Sequence, residues 1–221
     1  MRRLILALCL CLPLPLPAAA SDGVASDGKL SNTDLYRLTA CGAAPGGECQ
    51  GPLVRWSQPI VIVAMPPADP AMDAALADQI DTALDQAIAT LNAARAGIRL
   101  QRGITRSTPD IIVYRVGLKE GDRTKGIPGM TDGLEIGVGY MQINWNDGLH
   151  ITDGAIVIAA DIAPDDVRSV VLEELTQSLG FLYDIENPYY EGVSIFSQDS
   201  NETTAIAGQD RAILRLHYPA N

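Results

Sequence analysis

Residues 171–184 read VLEELTQSLGFLYD, and most of the chain's chemistry-bearing residues that fall close together are here. Glu173 and Glu174 are adjacent, followed by Gln177, Gly180, Tyr183 and Asp184. On a helix, positions 173 and 177 project from one face, a turn apart, and can close on one ion or one ligand group. Glu174 points about 100° away from Glu173, so the two do not share a proton as a carboxylate pair. Glu174 is the candidate catalytic residue, a carboxyl suited to acid–base work. Glu173, Gln177, Tyr183 and Asp184 are the candidate binding or metal positions. Catalytic zinc takes about three protein ligands, mostly histidine. The chain has two histidines, His150 and His217, and neither is in this segment. The uncharged amide oxygen of Gln177 competes poorly with water. An all-oxygen set suits calcium, magnesium or manganese better than zinc. The simplest reading makes Glu173 and Gln177 a solvated or hydrogen-bonded helix face, with no cofactor expected. A divalent metal is the alternative.

The elements that must position these residues are legible from periodicity. IVIVAM at 60–65 is β-branched and reads as a strand. A helix is expected over 71–97, with Ala75, Ile80, Leu84, Ile88 and Leu91 at helical spacing and Gly97 at its end. IRLQRG, DIIVYRV, GYMQINWN and GAIVIAAD read as further strands, and the Gly-rich residues 117–139 as a loop or irregular edge. Pro164 opens a helix that carries Glu173 and Glu174, with Val171, Leu175, Leu179 and Leu182 as its buried stripe. Gly180 ends it in a left-handed conformation. Residues 183–203 form a second loop, and AIAGQDRAILRLHY closes the chain as a helix. This order makes the fold α+β rather than a doubly wound α/β sheet.

Three segments in order, E-E-L-x-Q-x-L-G, then S-I-F, then D-x-x-I-L-R-x-x-Y, resemble the bacterial exported domain-of-unknown-function family 2927. More broadly they resemble a degenerate metzincin, the zincin-like metalloprotease fold, over residues 33–219. The resemblance implies a twisted mixed sheet with a long helix, a central active-site helix and a C-terminal helix. It places Glu174 where the general base sits, and Glu173, Gln177 and Tyr183 where histidines bind zinc. Phe196 falls at the methionine of the turn below the metal, as an apolar plug. Asp210 falls at the buried acid of the last helix, a structural role. The implied organisation is a leader at 1–20, a flexible N-terminal arm at 21–32 and one zincin-like domain at 33–221.

Bulk properties exclude some partners. A net charge of −11 argues against nucleic acid and anionic membrane surfaces. Arg2 and Arg3, the apolar run Leu4–Leu12 and Ala18-Ala19-Ala20 form a secretory leader, too short to span a bilayer. Its removal takes the charge to −13 and leaves a soluble exported protein, periplasmic or extracellular, in a Gram-negative bacterium. Cys9 and Cys11 leave with it. Cys41 and Cys49 then pair as a disulfide in the Gly/Pro-rich CGAAPGGEC, worth about 2 kcal/mol. A redox pair or a thiolate metal site is the alternative. His150 reads as a loop histidine and His217 as a positive charge at a helix end. Tyr189 and Tyr190 form a binding surface or cover a loop.

Two functions follow. One is a pseudo-protease: an exported, disulfide-stapled module whose cleft binds a peptide or an envelope protein by strand addition along GYMQINWN. The other is a hydrolase or peptidase with Glu174 as general base beside a non-standard oxygen-ligand metal site. A purely structural envelope protein is a third class.

Overall fold

A computed structural model describes residues 23–103 and 108–220 of the chain. The expected leader at 1–20 lies outside them. A mixed five-stranded sheet forms the centre, built from β2 (Ile60–Ala64), β3 (Arg99–Arg102), β4 (Ile111–Arg115), β5 (Gly139–Trp145) and β6 (Ile151–Ile158). The strand order is β3-β2-β4-β6-β5. β3, β2, β4 and β6 run parallel, and β5 closes one edge antiparallel to β6. Four α-helices are described: α1 (Asn32–Cys41), α2 (Ala74–Ala93), α3 (Val167–Gln177) and α4 (Gly208–His217). The fold is α+β with a mixed sheet.

Period-two alternation gives the sheet two different faces. Val61, Val63, Leu100, Ile111, Val113, Met141, Ile143, Ile156 and Ile158 join α2 and α3 in the main apolar cluster. The opposite face carries Val157 and Ala159, covered by Ile136, Leu118, Ile127 and Met130. The Gly-rich stretch therefore caps the back of the sheet, a job its composition does not announce. On α2, Ile80, Leu84, Ile88 and Leu91 are buried and Ala75 is exposed. Each of the large ones contributes roughly 1.5–3 kcal/mol on burial.

Helix ends differ from expectation for local reasons. α2 starts at Ala74 because the Asp73 side chain accepts from the Leu76 N–H. It stops before Gly97, where Arg95 takes a positive φ of 56°. α3 starts at Val167 rather than Pro164, since residues 163–166 turn first, with the Asp166 N–H donating to the Ala163 carbonyl (3.0 Å). NTDLYRLTAC is α1, capped by Ser31 and ended by Gly42 at φ 71°. The Cys41–Cys49 disulfide forms directly after it.

The arm expected to be flexible at 21–32 is docked from residue 23 onward. β1 (Val24–Ala25) pairs in parallel with β7 (Ile185–Glu186), and Val24 and Leu30 are buried. The loop at 183–203 accordingly holds β7 and a single 3₁₀ turn, Pro188–Tyr190. Among the described residues, no helix is long and apolar enough to cross a membrane.

Candidate functional site

α3 is buried on nearly every side, between α2 and the β5 and β6 strands. Its polar residues therefore do not form a solvated face. Glu174 is 8% exposed and Gln177 5%, while Glu173 is half-buried. Gln177 Nε2 donates to Asp184 Oδ1 at 2.6 Å, across the turn that follows the helix. Asp184 is itself buried, and its carbonyl accepts from the Val24 N–H (2.9 Å).

Glu174 faces the first residue of the edge strand. A Cβ at Gly139 would lie 2.5 Å from Val170 Cγ1, 2.6 Å from Glu174 Oε1 and 3.0 Å from Glu174 Cγ, so glycine lets α3 and its carboxyl approach β5 closely. The Val138 carbonyl accepts from the Ala159 N–H, which fixes the phase of the antiparallel ladder. Gly139, Met141 and Ile143 consequently turn their own N–H and C=O groups away from β6. A buried carboxyl thus lies beside the residue at which an outward-facing strand edge begins.

Burial sets the protonation of the site. It pushes Glu174 up to about 8, with the Asp184 charge adding to the effect. Burial also raises Glu173 well above the ordinary glutamate value, reinforced by Asp184 and Glu174. At neutral pH Glu174 therefore carries its proton. It can donate a hydrogen bond or a proton, and it becomes a base only as pH rises.

Tyr183 does not join this group. Its ring lies on the disulfide loop, so close that a Cβ at Gly42 or Gly51 would meet it (2.6 and 2.5 Å), and its N–H donates to the Thr39 carbonyl (3.1 Å). Gly180 has φ +104° and its N–H donates to the Gln177 carbonyl (2.8 Å). A side chain there would also collide with the Val54 carbonyl oxygen. Below the helix, Phe196 is buried against Phe181, with ring centroids 5.2 Å apart. Asp210 accepts from Ser194 Oγ–H (2.7 Å) and from the Ile195 N–H (2.9 Å), tying the turn at 194–196 to α4. Burial still raises Asp210 to about 6.

His217 is not an exposed charge at a helix end. It is buried, and burial lowers it to about 4, so it is neutral. Its Nε2–H faces the Val54 carbonyl (3.1 Å), which leaves Nδ1 to accept from the Tyr36 hydroxyl (3.1 Å). His150 is exposed at the β5–β6 hairpin. Tyr190 is buried, and its hydroxyl accepts from the Leu30 N–H; Tyr189 is exposed. Sequence reasoning missed Gly139 and Asn187. Gly139 could have been suspected from the glycine opening a strand, but nothing local marks Asn187.

The donor set does not fit the metal that the resemblance implies. Tyr183 faces the disulfide loop, and the Gln177 amide is engaged with Asp184. Among the described residues, no group of three or more His, Cys, Asp or Glu side chains is placed to hold a metal ion.

These features define an α+β protein with a buried carboxyl cluster beside the antiparallel edge of a mixed sheet. The chain belongs to the family described as "Protein of unknown function (DUF2927)", matched over residues 40–221. No curated protein matches it.

Proposed function

We propose that this is an exported zincin-like module, without the standard zinc site, whose cleft binds an extended peptide or protein segment. The observation that carries the reading is the placement of the Glu174 carboxyl against Gly139, where the outward edge of β5 begins. A strand laid on that edge gains main-chain hydrogen bonds, and specificity from whatever meets the carboxyl. The sheet order, with one antiparallel edge strand beside the glutamate helix, supports the zincin-like frame. The compartment is proposed to be the bacterial envelope, from the leader and from the disulfide, which is stable where conditions oxidise.

One observation favours a second reading, a hydrolase. Glu174 is buried and raised to about 8, near the range in which a carboxyl exchanges protons efficiently at neutral pH. In that reading Glu174 acts without the metal.

The two separate in one experiment. The mature protein is screened against an immobilised peptide library for binding and, in parallel, for cleavage. Binding without turnover, weakened by a bulky side chain at Gly139, supports the module. Turnover that vanishes in Glu174→Gln sinks it and establishes the hydrolase. Metal content by plasma mass spectrometry accompanies the screen. Near one equivalent of a divalent metal, lost in Glu173→Ala, would overturn the metal-free reading.

A further inference from the structure

Residues 23–30 read GVASDGKL, small and polar except for Val24 and Leu30, and both of these are buried in the main core. β1 runs parallel to β7, with Val24 opposite Ile185 and Ala25 opposite Glu186. The Val24 N–H donates to the Asp184 carbonyl (2.9 Å) and the Ser26 N–H to the Glu186 carbonyl (3.1 Å). From the other side, the Ile185 N–H donates to the Phe196 carbonyl (2.7 Å) and the Gln198 N–H to the Ile185 carbonyl (3.1 Å). Residues 184–186 thus lie between β1 on one side and an isolated bridge at Ser197 on the other. Asn187 latches the far end. Its Nδ2 donates to Ser26 Oγ (3.0 Å) and to the Gly28 carbonyl (2.9 Å), while its Oδ1 accepts from the Tyr189 N–H (3.0 Å). The Leu30 N–H donates to the Tyr190 hydroxyl oxygen (3.0 Å), and Gln209 Nε2 donates to the Leu30 carbonyl (3.0 Å).

This segment precedes the family match, which begins at residue 40. It nevertheless supplies one whole side of the short strand that directly follows Asp184, the partner of Gln177. Two-residue strands are marginal alone, and their order comes from neighbours on both edges. Losing the segment would strip the Asp184 and Glu186 carbonyls of their donors and Asn187 of both its acceptors. It would leave the pairings within the five-stranded sheet unchanged.

We propose that residues 23–30 are a positioning strap, docked in a groove along residues 184–190, that fixes Asp184 against Gln177. The occupant of the groove is this chain's own segment, and the inference stands whatever the β5 edge binds.

The test is hydrogen exchange on two proteins. One lacks residues 23–30. The other is the full chain with Asn187→Asp, which keeps the Oδ1 acceptor and loses both donations to the strap. In each, the Ile185, Tyr190 and Gln198 amides are expected to exchange at least about tenfold faster, while the α2 amides stay protected. A synthetic peptide, SDGVASDGKLS, restores protection to the deletion protein, and a scrambled peptide of the same composition does not. Unchanged exchange in Asn187→Asp overturns the proposal. So does a folded deletion protein that the peptide fails to protect. If the deletion does not fold, Asn187→Asp decides alone.

Discussion

Glu174→Gln should stabilise the protein, and more so as pH rises. Burial and the Asp184 charge hold the Glu174 carboxyl near 8 in the folded state, against 4.5 for an ordinary glutamate. The folded chain therefore binds this proton more tightly than the unfolded chain. The stability it confers is fully present below 4.5 and is lost as pH rises toward 8. At about 1.4 kcal/mol per pH unit, the loss reaches about 3 kcal/mol at pH 7 and about 5 kcal/mol at pH 9. Glutamine keeps the shape of the protonated acid without the titration. Its amide must itself be buried, at a cost of about 1 kcal/mol. The expected net gain is close to zero at pH 5, about 2 kcal/mol at pH 7 and about 4 kcal/mol at pH 9. Urea denaturation of wild type and Glu174→Gln at the three pH values reads it directly. A gain that does not grow between pH 5 and pH 9 would refute the reasoning. So would a loss at pH 7, the sign expected of a carboxylate held by a cation.

Other consequences are as concrete. His217 has the opposite sign: its folded pKa, about 4, lies below the ordinary 6.5. Its contribution is complete above 6.5 and falls by about 3 kcal/mol as pH drops to 4. The stability advantage of wild type over His217→Gln should shrink across that window, by urea denaturation. Gly180→Ala must place a Cβ at φ +104° and against the Val54 carbonyl, and should cost more than about 2 kcal/mol by thermal unfolding. Replacing Cys41 and Cys49 together with serine should cost about 2 kcal/mol, and a reductant should lower the melting temperature of wild type alone.

The sheet strands and three of the four helices are legible from local signals: IVIVA by its run of β-branched residues, α2 by Ile80, Leu84 and Leu91 at helical spacing. The loops were not. GVASDGKL has the composition of a disordered arm, and its order comes from partners about 160 residues away, Asp184 and Tyr190. The same holds for the Gly-rich stretch that caps the back of the sheet. Spacing put Glu173 and Gln177 on one helix face, but could not say that this face is inside. Burial is what turns Gln177 from a surface amide into the donor that holds Asp184. Tyr183 was grouped with them by count along the chain, yet the turn at Gly180 sends its ring to the disulfide loop.

The energetics of Glu174 bear on whether the site beside β5 does anything. A carboxyl that costs about 3 kcal/mol at pH 7 takes a large share of a stability that is typically 5–15 kcal/mol. A wall between α3 and β5 would be served as well by glutamine, which fills the same volume, or by leucine, which needs no partner at all. Strained or unfavourably ionised groups concentrate at sites that use them. Asp210 makes the contrast. It too is a buried acid raised by its surroundings, but two donors occupy its oxygens and its purpose is visible: it ties the turn at 194–196 to α4. Among the described residues, no hydrogen bond or ion pair ties Glu174 to another element. It lies against the opening residue of an edge strand, and that placement supports a carboxyl kept for a ligand over one kept for the fold.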